Sequence, residues 1–216
     1  MDTTMSADVS FWNRIAEEYA AKPVENVPAY ERKKEIIRAL LGPGQTIFDY
    51  GCGTGSLALE LAPHVDHVHA MDISREMVRI ARGKAEARGV DNVTFHQGTL
   101  DDQVPFPPGF FAGVTAYNIL HLVEDRAATL RTLHQLLAPG GFFVSSTVCL
   151  GESWVPYPVI IGAMRLFGRA PRVWRVDKAT VRREMEAAGF VDVTEHDVGA
   201  RAQTGFIVAK KPGEKR

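Results

Sequence analysis

The stretch Thr46-Ile47-Phe48-Asp49-Tyr50-Gly51-Cys52-Gly53-Thr54-Gly55-Ser56 constrains this chain more than any other. A short apolar run ends on an acidic residue, three glycines follow at alternate positions, and Leu57-Ala58-Leu59-Glu60-Leu61 opens a helical pattern. Strand, glycine-rich turn and helix in that order make a ligand cradle. Glycine admits positive φ and lets a ligand lie against bare main chain, and the helix N-terminus offers N–H groups that have no intrahelical partner. The dinucleotide fingerprint G-x-G-x-x-G is approached but not met. The third glycine falls one residue early, and Ser56 stands where that fingerprint has glycine. Asp49 also argues against it, because a carboxylate at the mouth of the turn repels a pyrophosphate and suits a ligand carrying positive charge.

The chain around this stretch alternates. Strands are expected at 46–50, 67–71, 93–97, 110–117 and 142–149, with helices at 55–62, 74–88 and 125–138 between them. Repeated strand–helix units imply a parallel sheet with helices on both faces. Residues 1–8 read as a frayed tail. An amphipathic helix then starts at Ser10, with Trp12, Ile15, Ala16 and Tyr19 on one side, and a second helix runs from about 29 to 41. After Leu150 the pattern loosens into an apolar helical piece at 159–167, a helix at 178–188 and two strands near 190–196 and 202–210, expected to form a hairpin. The reading is one α/β domain with a Rossmann-like, doubly wound, mostly parallel sheet of seven strands whose last hairpin is antiparallel. It divides into a helical N-terminal lid (1–41), a cofactor-binding core (46–149), an acceptor-side insertion (150–175) and a C-terminal helix and hairpin (176–210).

Composition removes several classes. A formal net charge of −1 gives no basic field, so nucleic acid is not an expected partner. Cys52 and Cys149 are too few for a disulfide scaffold. With no apolar N-terminal signal region and no run of the ~20 residues that span a bilayer, the expectation is a cytoplasmic protein with reduced cysteines. His64, His67 and His69 alternate around the second strand, but no Cys or carboxylate at ligand spacing completes a metal site, and none is expected.

Taken in order, five segments resemble the class I S-adenosylmethionine (SAM)-dependent methyltransferases, most of all the group of ubiquinone and menaquinone C-methyltransferases and related small-molecule enzymes. The 46–56 stretch is similar to that family's motif I, and Asp49, Gly51, Cys52, Gly53 and Gly55 are the cradle the resemblance implies. Asp72 closes the second strand, where an acidic residue accepts both ribose hydroxyls; capping the helix that starts at Ser74 is its other reading. Ile73 and Met77 would pack on the adenine or simply in the core. Gly98-Thr99-Leu100-Asp101-Asp102 stands where the family has a Gly-Asp-Ala-type segment. Thr99 departs from it, so the adenine amino group falls to Thr99 or to Asp101, with the Leu100 N–H facing a ring nitrogen. Asn118 and Ile119 would lie along the methionine part. His121 is either a base on the acceptor side or a capping or core histidine. Leu137-Ala138-Pro139-Gly140-Gly141 matches the family's turn before the fifth strand. Tyr19 and Lys22, on a helix similar to the family's opening helix, would reach the SAM carboxylate or only pack.

The resemblance implies methyl transfer from SAM to a small acceptor, with O, N, C and S all open as the methylated atom. The covering stretch Trp154 to Trp174, with Met164 and Phe167 among its apolar residues and Arg165, Arg169, Arg172 and Arg175 among its basic ones, suits an apolar acceptor. It equally suits transient contact with an anionic membrane surface or an ordinary core helix. Two other classes stand beside this reading: a non-catalytic SAM-binding module, and an NAD(P)-binding oxidoreductase, which Asp49 and Ser56 disfavour.

Overall fold

The computed structural model describes residues 3–100, 105–152, 157–166 and 168–213. Helices α1 (Thr3–Ala21) and α2 (Val27–Arg38) lead into β1 (Thr46–Tyr50), α3 (Ser56–Leu61), β2 (His67–Asp72), α4 (Arg75–Arg88) and β3 (Val93–Gln97). Then come β4 (Phe111–Tyr117), α5 (Arg126–Leu136), β5 (Leu137–Val148), α6 (Tyr157–Leu166), α7 (Lys178–Ala187), β6 (Val191–Glu195) and β7 (Thr204–Lys210). The seven strands form one sheet in the order β3-β2-β1-β4-β5-β7-β6. β1 to β5 run parallel, and β7 pairs antiparallel with both β5 and β6. The expected doubly wound sheet with an antiparallel last hairpin is therefore present. Strand order reverses between β1 and β4, the place where such sheets open a crevice.

Local chemistry sets the helix ends. Asn26, Ser74, Asp125 and Asp177 each accept a backbone N–H of the first turn of α2, α4, α5 and α7. Gly89, left-handed at φ 63°, ends α4. One buried cluster fills the face under α3 and α4 around Ile47, Leu61, Val68 and Phe95, and a second fills the face under α5 and α7 around Phe48, Leu130, Phe143 and Met185.

Helix α2 lies two to three residues earlier than the sequence reading put it, and two boundaries differ by more. α1 starts at Thr3 rather than Ser10, so residues read as a frayed tail are helical. β5 starts at Leu137 rather than Phe142: Leu137 pairs with Phe111, and the register then shifts so that Phe142 pairs with Gly113. The Pro139-Gly140-Gly141 turn is a bulge inside the strand rather than a link before it. Gly140, at φ +77°, donates its N–H to Lys211 O at 3.1 Å.

Gly55 turns α3 away from β1 at φ 73°, and a Cβ there would lie 2.8 Å from both Ala81 Cβ and the Phe95 ring. Gly55→Ala combines strain with overpacking, and we expect it to lower unfolding free energy by ~1–3 kcal/mol, measured by urea denaturation. An unchanged midpoint would mean that α3 and α4 are more loosely packed than this.

Candidate functional site

A cleft of about 380 Å³ opens beyond the carboxyl ends of β1, β2 and β4. Its floor on the β1–β2–β3 side is made by Gly51, Gly53, Asp72, Ile73, Gly98 and Thr99, with Met71 and Met77 beside them. On the β4 side the wall passes through Tyr117, Asn118, Ile119, Leu122, Val123 and Glu124 to Pro171, Arg172 and Trp174. Asp8, Trp12 and Tyr19 of α1 line it from above.

The glycine turn is held in place by the end of β2. Met71 O accepts the N–H groups of Gly51 and Cys52 at 2.8 and 2.9 Å. Asp72 Oδ2 accepts the Gly53 N–H at 2.8 Å, and Asp72 Oδ1 accepts the Ser74 N–H at 2.9 Å. Each oxygen keeps a lone pair beyond those bonds, so the carboxylate can still take hydroxyls from the cleft. Ser74 caps α4, and its hydroxyl donates to Asn13 Oδ1 of α1 at 2.8 Å. Asn13 also accepts the Glu76 N–H at 3.2 Å. Helix α1 is thereby tied over the cleft by polar bonds and by Ala16 and Trp12 packed on Met77 and Ile80.

The three glycines of the turn have different jobs. A Cβ on Gly51 would strike Ile119 at 2.7 Å, and one on Gly55 would strike α4 and β3, so both answer to protein packing. At Gly53, φ +53°, an added Cβ would meet only the edge of the Tyr19 ring, at 3.9 Å. Gly53 leaves open space above bare backbone, as a cradle for a nucleoside cofactor requires, and the residues present fit SAM.

Of the residues singled out in the sequence, Tyr19, Gly51, Gly53, Asp72, Ile73, Met77, Thr99, Asn118 and Ile119 come together in this cleft. Asn118 sits at φ 53°, a left-handed conformation rare for a non-glycine residue, at the turn after β4. Others are elsewhere. Asp49 is 2% exposed and lies beneath the turn, its Oδ1 accepting the Thr115 hydroxyl at 2.6 Å and its Oδ2 unpartnered. Leu100 packs on the core under α5, and Cys52 against the core under α3. Lys22 pairs with Glu18 at 3.1 Å and lines a separate groove. Asp101 lies outside the described residues, as does Phe167. Met164 stands 41% exposed and is no part of the cleft wall.

His121 is 8% exposed and lies behind the wall rather than in it, its Nδ1 without a partner. Its carbonyl accepts the Trp174 N–H at 2.7 Å, which fixes the covering segment of the wall to the turn after β4. A base on the acceptor side is therefore not where the imidazole sits. Among the described residues no three His, Cys, Asp or Glu side chains are arranged to hold a metal. His69 instead bonds His96 at 3.0 Å, and His67 bonds Thr94 at 2.8 Å.

The sequence reading missed Asp8, Tyr50, Tyr117 and Glu124. Asp8 had no signal, since it fell in the presumed tail, yet its Oδ1 accepts the Arg172 N–H at 3.0 Å. Tyr117 closes β4 beside Asn118, and a strand-end aromatic next to a turn was the available clue.

The comparisons with known proteins agree with this geometry. A family model described as a methyltransferase domain matches residues 47–141. The ubiquinone/menaquinone biosynthesis C-methyltransferase UbiE of Vibrio cholerae is 30% identical over 195 residues, covering 80% of this chain and 72% of that one. The chain belongs to the class I SAM-dependent methyltransferases. A demethylmenaquinone methyltransferase of Geobacillus kaustophilus is 32% identical, and the match spans 62% of this chain but only 56% of that relative's length. The phosphoethanolamine N-methyltransferase 2 of Haemonchus contortus, solved with phosphomonomethylethanolamine and S-adenosylhomocysteine, superposes with a TM-score of 0.69 at 16% identity, over 85% of this chain and 53% of that one. That likeness concerns the fold.

Two expectations follow. Gly53→Val should abolish S-adenosylhomocysteine binding in calorimetry by filling the cradle, and Asp72→Ala should weaken it by ~1–3 kcal/mol, the scale for hydrogen bonds to a charged group. Parent-like binding by both would remove the cradle from this turn.

The buried groups beneath the cleft give a pH signature. Burial, with Arg126 adding to it, pushes His121 from 6.5 down to about 4. Between those values the unfolded chain holds more protons, so His121 makes stability rise with pH and lose ground as pH falls. Burial pushes Asp49 from 3.8 up to about 7, against the Thr115 hydrogen bond and with help from Asp72. Here the folded chain holds the extra proton, so Asp49 makes stability fall as pH rises through that window. In urea titrations across pH, His121→Gln should flatten the first trend and Asp49→Asn the second; two variants that track the parent would show both groups to be solvated.

Proposed function

We propose that this protein transfers a methyl group from SAM to a small, predominantly apolar acceptor. The observation that carries the reading is the open backbone at Gly53 beside the Asp72 carboxylate, in a cleft that continues past Ile119 to Trp174. SAM, when bound, would supply a methyl already activated on a sulfonium: the acceptor atom would bond to the methyl carbon as the carbon–sulfur bond breaks, S-adenosylhomocysteine would leave, and any acceptor proton would pass to solvent.

The chain's part is to bind, align and exclude water. Asp72 accepts the ribose hydroxyls, Ile73 and Met77 pack against the adenine, and Thr99 and the Leu100 N–H meet its edge. Asn118 and Ile119 flank the methionine part, with Tyr19 above it. Leu122, Val123, Pro171 and Trp174 make the acceptor wall, which suits an apolar molecule. Proximity and orientation of this kind supply up to ~7–11 kcal/mol of barrier reduction, so a strong acid–base constellation is not required. His121 acts by positioning the wall through Trp174. The quinone-related names of the relatives support a quinone-like or phenol-like acceptor.

The test is turnover of labelled methyl on a panel of quinol, phenol, amine and thiol acceptors, beside calorimetry with SAM, S-adenosylhomocysteine and NADH. Trp174→Ala should raise the acceptor KM while leaving S-adenosylhomocysteine affinity within about threefold, roughly 0.7 kcal/mol. Binding of SAM without turnover on any acceptor would leave a SAM-binding module; binding of NADH instead would make the protein an oxidoreductase.

A further inference from the structure

Among the described side chains of helix α6, Tyr157 and residues 160–165, none joins or packs against a buried cluster. It is nonetheless apolar, and Ile160 and Met164, one turn apart on the same face, are 43% and 41% exposed. Gly162 and Ala163 are exposed between them. An apolar helix with its apolar side outward calls for an apolar partner.

The charge around it identifies that partner. From Ser153 to Val176 the chain has four arginines and no acidic residue. Arg172 is held by Glu124 at 3.2 Å, and Arg175 donates to Gly151 O at 3.0 Å. Among the described residues Arg165 and Arg169 have no acidic partner. The Arg169 N–H donates to Met164 O at 2.8 Å, which sets this cation beside the apolar face. Arg169 also lines a groove of about 470 Å³ with Arg14 of α1 and Lys22 just after it. The acid in that groove is Glu18, which pairs with Lys22.

We propose that α6 and this groove form a docking surface for an anionic lipid bilayer. Ile160 and Met164 enter the acyl boundary, while Arg165, Arg169 and Arg14 face lipid phosphates, the arrangement of an interfacial helix. A second copy fits worse, since a two-fold axis through this face would set its uncompensated arginines against each other. The site goes beyond the transfer reaction: Gly168 and Arg169 follow α6 and lead into the cleft wall at Pro171, so the acceptor wall would stand next to the lipid.

The experiment is vesicle pelleting of the full chain. Vesicles of phosphatidylcholine alone are compared with vesicles carrying about a third phosphatidylglycerol. We expect pelleting with the anionic vesicles, its release by high salt, and a loss of about tenfold or more in vesicle affinity for Ile160→Asp/Met164→Asp. Arg169→Gln should weaken it roughly fivefold, the factor for one cation near an anionic surface. Unchanged S-adenosylhomocysteine affinity certifies that the variants are folded; if the double variant loses it, Arg165→Gln/Arg169→Gln carries the test. A parent that stays in the supernatant with both vesicle types overturns the proposal, as do variants that pellet like the parent. A parent dimer in sedimentation that the double variant breaks, without vesicle binding, would assign the face to a second copy instead.

Discussion

The Asp72 carboxylate is where the site is assembled. In the turn with three glycines at positive φ, backbone carbonyls take the N–H groups of Gly51, Cys52 and Gly55, and a buried N–H left unpaired is costly. Asp72 takes that of the remaining glycine, Gly53, and also the Ser74 N–H at the start of α4. Ser74 then caps α4 through Met77 and donates to Asn13 of α1. One chain of hydrogen bonds therefore joins the turn after β1, the end of β2, the start of α4 and the helix above the cleft. Burial raises the Asp72 carboxyl and the two backbone N–H groups lower it, so the bonds that order the turn also favour the charged form that the proposed ligand role requires.

This explains what was legible in the residues. Strand, turn and helix are local events, and the caps at Ser74, Asp125 and Asp177 are decided within three residues of each helix start. Asp72 stood out because a ligand role and a capping role ask for the same side chain at the same place; the cap of α4 is in fact Ser74, and Asp72 accepts the Ser74 N–H ahead of it. The division of labour among the glycines was not legible. Gly51 answers to Ile119 and Gly55 to Ala81 and Phe95, partners 68, 26 and 40 positions away, and no local pattern carries that information. The early start of β5 is of the same kind, because a Pro-Gly-Gly turn reads as a break until a neighbouring strand holds both sides of it.

Asp49 shows how a correct conclusion can rest on the wrong atom. Its negative charge was the reason to prefer a cationic ligand over a pyrophosphate, yet it lies under the turn, where burial pushes its carboxyl up to about 7. A buried carboxyl in that state attracts a cation weakly. Among the described residues the cleft itself carries Asp8, Asp72 and Glu124 against the single cation Arg172, which Glu124 already engages. The negative balance that suits an ammonium and a sulfonium is thus spread around the walls, and Asp49 serves instead to join β1 to β4 through Thr115 at the point where strand order reverses.

The same spread of charge bears on how such a site can be selective. The proposed nucleoside end is fixed by backbone and by one carboxylate tied on both oxygens, so it has little freedom to change. The proposed acceptor end is built from the turn after β4 and from residues 171–174, which are held to it by the Trp174–His121 backbone bond, the Arg172–Glu124 pair and the Arg172 N–H on Asp8. His121 is buried, but Arg172, Glu124 and Asp8 are exposed or half-exposed, and the salt bridge among them is worth ~0–1 kcal/mol. Substitution there can reshape the acceptor wall at small cost in stability, whereas substitution at the turn disturbs a bond chain that reaches from β1 to α1. Variation in what is methylated is therefore easiest on the β4 side, and the donor side is held constant by the requirements of folding.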